Sequence, residues 1–304
     1  MRISDRFSGC IIGGAIGDAY GSSYENLNEV EDEHTFYPFG KPEKEMPTWR
    51  ITDDTQLTIA TCEAIIDNTE LTTETFAHKY LEFFKQRKIR GIGASTLKAL
   101  RELEAGAHWS LTGRKGEYAA GNGAAMRIAP TAFIKNISHT LIREISNITH
   151  NNDEAYVGAL AVNLSIQAAI NGEWTGKENL IAILIDQIPD TRLRDRLIDI
   201  RDIERLAEIG NLGNDGYVVN SVPLAIAAAN QVADLGMEQM FNQLIETGGD
   251  TDTNASIAGQ IAGALIGRNG IPESLMKKLA ALNEFEWINK TIKAFIQKQN
   301  WEQN

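Results

Sequence analysis

Acidic and hydroxyl side chains crowd together twice in this chain of 304 residues, at Thr52-Asp53-Asp54-Thr55 and again at Asp250-Thr251-Asp252-Thr253. Carboxylates at adjacent or alternate positions repel one another and resist burial unless positive charge lies between them. Hard divalent cations such as Mg²⁺ and Mn²⁺ take oxygen ligands, which carboxylates and threonine hydroxyls supply. If folding joins the two clusters, they make a metal site, with room in the charge balance for two ions. Adding Glu25 to Asp53, Asp54, Asp250 and Asp252 gives five carboxylates with a charge of −5, which two divalent ions nearly neutralise.

Helix capping is the simpler reading of either cluster alone. Thr52 suits an N-cap with Asp53 and Asp54 in the first turn, and Asp250 to Thr253 precede a helix expected from Asn254. A carboxylate in such a place gains only about 0.3–1 kcal/mol from the helix dipole. One helix needs no pair of carboxylates for capping, however, and the design occurs twice. Two further segments bear on chemistry. Gly121-Asn122-Gly123-Ala124-Ala125-Met126-Arg127 permits an irregular backbone whose N–H groups face a ligand, an arrangement suited to phosphate oxygens. His150-Asn151-Asn152-Asp153 stands ahead of a long helix, where a histidine by itself reads as a capping or surface residue.

Helices must position all of these groups. Apolar spacing predicts helices from Asp5 to Tyr20, Asp53 to Asn68, Thr73 to Arg87, Ser95 to Ala105, Asp153 to Asn171, Leu193 to Leu206, Pro223 to Leu235, Met237 to Glu246 and Asn254 to Gly267. Tyr217-Val218-Val219 is the best strand candidate. Gly9, Gly13, Gly17 and Gly21 recur every four residues, as do Ala255, Gly259, Gly263 and Gly267. A glycine inside a helix costs about 1 kcal/mol relative to alanine, so a ridge of them calls for a packing reason. The spacing predicts that these two helices dock ridge to ridge and draw both ends of the chain around one site.

Composition agrees with one all-α domain spanning residues 1–304. The 43% hydrophobic and 23% charged content is ordinary for a globular protein, and no apolar run is long enough for a membrane span. A net charge of −12 argues against a nucleic-acid binder, and the basic run Lys85, Arg87, Lys88, Arg90 reads as a solvated helix end. The acidic stretch from Glu29 to Glu33 reads as a solvated loop. Cys10 and Cys62 lie in apolar helical patterns and are expected as buried free thiols. With no signal peptide in the N-terminal residues, a cytoplasmic monomer is expected.

Taken in order along the chain, these segments resemble the ADP-ribosylglycohydrolase family. The likeness is carried by Gly13-Gly14-Ala15-Ile16-Gly17-Asp18 with Tyr24-Glu25, then Thr52 to Thr55, Gly121 to Arg127, Thr149-His150, Gly216-Tyr217 with Ser221-Val222-Pro223, and Gly248 to Thr253. The resemblance implies an all-α, many-helix domain with a binuclear Mg²⁺ or Mn²⁺ centre at the bottom of a cleft. Thr52, Asp53 and Asp54 would serve the metals from one side and Asp250, Asp252 and Thr253 from the other. Glu25, with Asp53, would carry the hydrolysis. Tyr118, Ala119, Ala120, Gly121, Asn122 and Gly123 look like the loop that holds the diphosphate and neighbouring ribose, and His150 and Tyr217 match positions lining the adenosine pocket. The implied partner is an ADP-ribosylated protein or a small-molecule ADP-ribose conjugate, with no nucleic acid or membrane involved. Arginine is the acceptor expected first. Some arginine-directed members carry an acidic residue near a Gly-Ile-Gly stretch, whereas the comparable run here is Arg90-Gly91-Ile92-Gly93. The alternatives are a non-catalytic, crystallin-like relative and a Mg²⁺-dependent nucleotide phosphoesterase.

Overall fold

Glycines spaced every four residues along the first helix decide how the chain wraps around its acidic clusters. The structure, a computed structural model, describes residues 1–25 and 48–301, and the Glu29 to Glu33 stretch lies outside the described residues. Its helices are α1 (Ile3–Gly21), α2 (Asp53–Asp67), α3 (Thr73–Lys85), α4 (Ala94–Glu104), α5 (Trp109–Thr112), α6 (His139–Asn147) and α7 (Asp153–Asn171). They continue as α8 (Leu180–Ile185), α9 (Arg192–Ile200), α10 (Leu206–Gly210), α11 (Val218–Asn230), α12 (Val232–Leu235), α13 (Met237–Glu246), α14 (Thr251–Ile266), α15 (Glu273–Ala280) and α16 (Phe285–Lys298). Two short parallel strands, β1 (Arg114–Lys115) and β2 (His150–Asn151), pair Arg114 with His150 and Lys115 with Asn151. Among the described residues no helix is long and apolar enough to cross a membrane.

α1 and α14 lie at the centre, antiparallel and almost entirely buried. A Cβ placed on Gly9 would overlap the Gly263 carbonyl oxygen, one on Gly13 that of Gly259, one on Gly17 that of Ala255 and one on Gly21 that of Thr251. The overlaps are reciprocal, since Cβ atoms on Gly259 and Gly263 would strike the carbonyls of Gly13 and Gly9. The expected ridges therefore meet backbone to backbone along their whole length. Antiparallel register has a chemical consequence: the last turn of α1, with Asp18, sits beside the first turn of α14, with Asp252. Thr251 Oγ1 donates to the Gly21 carbonyl at 2.9 Å, tying the two helix ends together.

Tyr217-Val218-Val219 is not a strand. Tyr217 makes one antiparallel bridge to Gly121, and the chain then turns directly into α11. Val218 and Val222, four residues apart, both bear on Gly158 of α7, so packing on a neighbouring helix outweighs β-branched preference. The segment expected as one helix from Leu193 to Leu206 breaks after Ile200 and resumes as α10 at Leu206. Ile203 and Leu206 still pack against the core, which is why apolar spacing alone does not show the turn. α14 starts at Thr251 and not at Asn254, which puts Asp252 and Thr253 inside its first turn. α6, α15 and α16 lie outside the expected set, although Ile288, Ile292 and Phe295 are spaced for one buried face.

Candidate metal centre and substrate cleft

Three chain segments deliver carboxylates to the end of the α1–α14 pair. Asp18 comes from α1, Asp53 and Asp54 from the first turn of α2, and Asp252 from the first turn of α14. Asp18, Asp54 and Asp252 each offer an oxygen within 4.8 Å of the other two, and all three are buried. The helix N-termini of α2 and α14 point their partial positive charge at this cluster, but that offsets only a fraction of several buried negative charges. The two acidic clusters of the sequence thus converge. Thr253 Oγ1 of the second donates to Asp54 Oδ2 of the first at 3.1 Å.

Asp18 was outside the sequence-based set of site residues, and its bonding shows a different task from its neighbours. Its two oxygens accept from Thr52 N at 2.9 and 3.1 Å, Thr52 Oγ1 at 2.8 Å, Thr55 N at 3.1 Å and Thr55 Oγ1. This carboxylate therefore caps α2 from another helix and holds the Thr52–Thr55 turn in place. The available signal was an acid interrupting a glycine-rich apolar helix at Gly17-Asp18. Asp54 is the reverse case: its Oδ1 is buried with no hydrogen-bond partner. Burial, and then repulsion from Asp18, Asp252, Asp53 and Asp250, hold the Asp54 carboxyl well above the usual carboxylate range. Burial and neighbouring acids likewise push Asp53 up to about 7 and Asp252 to about 9. A buried, orphaned carboxylate oxygen among mutually repelling acids is the situation that a hard divalent cation resolves. The donor set fits one.

Glu25, Asp53, Asp250, Asp252 and Thr253 face a common cavity of about 300 Å³ with Gly121, Asn122, Gly123 and His150. Thr52 and Asp54 do not line it, although Asp54 is bonded to Thr253, which does. Burial, and then Asp250, raise the Glu25 carboxyl, against an opposing pull from Arg50. Asn122 joins the glycine loop to the acids, with Nδ2 donating to Asp250 Oδ2 at 2.7 Å and Ser221 Oγ at 2.9 Å. Ser221 Oγ in turn donates to Asn254 Oδ1 at 2.6 Å. Gly249, at φ 76°, makes the turn that brings Asp250 here, and any side chain on it would run into Asn214.

A second cavity of about 480 Å³ shares Gly121 and Gly216 with the first and is also lined by Glu117, Tyr118, Ala120, Arg192 and Tyr217. Tyr118 is 85% exposed at its mouth. Ala119 does not face either cavity: it is fully buried, at the end of a 3₁₀ turn. His150 is no capping or surface residue, being 4% exposed. The cap of α7 is Asn152, whose Oδ1 accepts from Glu154 N and Ala155 N.

Comparison with known proteins identifies the family and the fold. A sequence model of the ADP-ribosylglycohydrolase family matches residues 1–304. The chain is 31% identical to an uncharacterized protein of Archaeoglobus fulgidus over 278 residues, covering 86% of this chain and 88% of that one. It is 26% identical to the Homo sapiens ADP-ribosylhydrolase ARH3, covering 98% and 95% of the two chains. It is 28% identical to the ADP-ribosylarginine hydrolase Tri1 of Pseudomonas putida, covering 91% and 74%. A solved structure described as an ADP-ribosylglycohydrolase-related protein complex has the same fold, with a TM-score of 0.66 at 24% identity, covering 98% of this chain and 99% of that one.

Proposed function

This chain belongs to the ADP-ribosylglycohydrolase family, and we propose that it cleaves the glycosidic bond between ADP-ribose and a modified side chain, releasing ADP-ribose. The observation that carries the proposal is the meeting of two acidic clusters around the orphaned Asp54 Oδ1 at the floor of an open cleft. Thr52, Asp53 and Asp54 would hold divalent cations with Asp250, Asp252 and Thr253, and two Mg²⁺ or Mn²⁺ ions match the charge. Such ions, when bound, supply concentrated positive charge beside the reacting sugar.

The remaining work falls to this chain's own side chains. Cleavage at the anomeric carbon develops oxocarbenium character on the distal ribose. Glu25, at the cavity rim with a raised carboxyl, accepts the proton of the attacking water. It suits that role better than Asp53, whose lone pairs are committed to ligation. The loop from Gly121 to Gly123 faces the diphosphate, with the Asn122 N–H already committed to the Gly216 carbonyl, and Tyr118 and Tyr217 offer rings for the adenine. Arginine is the acceptor proposed first. The Pseudomonas putida relative named for arginine supports it, while the relatives named ARH3 keep other acceptors in the test.

Incubation with arginine-, serine- and cysteine-linked ADP-ribosyl peptides, with and without EDTA, followed by mass spectrometry, tests the reading. Free ADP-ribose formed only in the absence of EDTA supports it, and the productive peptide names the acceptor. AMP would indicate attack on the diphosphate, and binding without product a non-catalytic relative. Glu25→Gln is expected to lower turnover without abolishing metal binding. Full turnover in that variant would remove Glu25 from the chemistry.

A further inference from the structure

Arg127 closes the glycine loop in sequence, yet it faces neither cavity of the cleft. Its side chain is wholly buried, without a carboxylate partner among the described residues, and its guanidinium lies 5.0 Å from the centre of the Tyr80 ring. Burying a cation without a counter-ion is costly, so its remaining contacts are informative. One terminal nitrogen donates to the Gly123 carbonyl. The other donates to Thr149 Oγ1 at 2.7 Å and to the Ile145 carbonyl at 3.3 Å. Thr149 Oγ1 is in turn 2.7 Å from His150 Nδ1.

The direction of each proton in this chain follows from what each group is able to do. A guanidinium only donates, so Thr149 Oγ1 accepts from Arg127. The threonine is 1% exposed, and among the described residues the acceptor within reach of its hydroxyl proton is His150 Nδ1. Were Nδ1 protonated instead, Thr149 would accept twice and its own buried proton would be orphaned beside a cation. The arrangement that gives the Thr149 hydroxyl proton an acceptor makes Nδ1 that acceptor and leaves the ring proton on Nε2, while Arg127 Nε stays without a partner. The opposite edge of the ring, Cε1 and Nε2, packs against Gly121 and Gly123; a Cβ on Gly123 would collide with Cε1 and one on Gly121 would press on Nε2. Nε2 has no protein acceptor among the described residues, and His150 borders the 300 Å³ cavity.

We propose that Arg127 is a positioning residue that acts through Thr149 to hold His150 as the neutral Nε2–H tautomer, fixing a hydrogen-bond donor in the cleft wall for a phosphoryl oxygen. Desolvation, and then the charges of Arg127 and Arg114, lower the His150 pKa to about 3, in keeping with a ring that stays neutral. A neutral donor set between two glycines gives directional recognition of an anion without a second buried cation. The nature of the ligand rests on the function proposed above; the tautomer does not.

Long-range ¹H–¹⁵N spectra of ¹⁵N-labelled protein, with the His150 signals assigned through His150→Gln, test this directly. The expected pattern has Nδ1 unprotonated and Nε2 protonated. Thr149→Val is expected to give mixed tautomers and to weaken ADP-ribose binding roughly tenfold to a hundredfold, the range for a lost hydrogen bond to a charged group. Thr149→Ser restores both. Arg127→Met produces the same spectral change, and combining it with Thr149→Val adds little, because the two side chains serve one relay. A wild-type His150 protonated at Nδ1 would overturn the inference. So would a folded Thr149→Val or Arg127→Met protein with the wild-type spectrum. If neither variant folds, the wild-type tautomer decides. ADP-ribose release by a protein whose His150 carries its proton on Nδ1 would sink this relay and spare the proposed function. An Nε2–H ring in a protein that releases none would do the reverse.

Discussion

Along most of their length α1 and α14 meet through glycine, backbone against backbone, whereas at one end they meet through aspartate. The glycine stretch is held by packing. Each missing Cβ is replaced by a carbonyl of the facing helix, and the buried polar atom left unpartnered there among the described residues is the neutral Gln260 Oε1. The acidic end is not complete. Asp54 Oδ1 is orphaned, and Asp18, Asp54 and Asp252 crowd within 4.8 Å. One pair of helices thus joins a stretch optimised for packing to a patch that packing alone leaves strained. The rigid stretch holds carboxylates at separations they would not otherwise tolerate.

Substitutions at the two ends should separate these roles. The largest effect is expected for Asp252→Asn, which should lower ADP-ribose release by at least ~10³-fold, since it removes charge that the reaction depends on. The same change should raise the melting temperature of metal-free protein, because it relieves repulsion. A fall in both quantities would show that the acidic end is ordinary structure. Gly13→Ala should act the other way. It forces a methyl into the Gly259 carbonyl and should cost about 1–3 kcal/mol or more in denaturant unfolding, with activity per folded molecule retained. An unchanged unfolding midpoint would dissolve the contrast between the two ends.

The pH dependence sharpens it further. Asp53 and Asp252 ionise in the folded protein near 7 and 9 instead of near the ordinary 3.8. The metal-free fold therefore binds more protons than the unfolded chain between these values. Their contribution to stability is present below about pH 4 and lost as pH rises toward 9. Thermal melts with EDTA should show that decline, and Mg²⁺ or Mn²⁺ should flatten it. Parallel curves with and without metal would mean that the acids hold no ion. The smallest effect belongs to the junction. Thr251→Val removes the bond to the Gly21 carbonyl and should cost about 1 kcal/mol by thermal or denaturant unfolding, leaving turnover intact.

Much of this was legible before any coordinates. The four-residue glycine spacing predicted the central packing, and the doubled Thr/Asp clusters predicted a shared acidic site, because both follow from local periodicity and charge. Other features were not legible. Tyr217 to Val219 has a strand's composition and forms the start of α11, because Val218 and Val222 find Gly158 of α7. Asp18 stands out as an acid in a glycine-rich apolar helix and belongs to the motif that carries the family resemblance, but neither capping nor clustering assigns it a task. Its task appears only when α2 arrives with donors at Thr52 and Thr55. Ala119 lies within a glycine-rich loop segment and yet turns inward, since a 3₁₀ turn alternates exposure with a period that composition does not reveal.

By itself the sequence determined which side chains carry charge, which helices are able to approach closely and which loop is free to bend. These are properties of residue type and spacing, read within a few turns of chain. Only the tertiary structure decided that Asp18 caps α2, that Asp54 keeps one oxygen without a partner, and that Arg127 reaches Thr149 beneath the cleft. Those outcomes depend on contacts between segments 34, 22 and 199 residues apart in the chain. Docking sets how many donors each buried oxygen meets, and that number is not a property of any one stretch of chain.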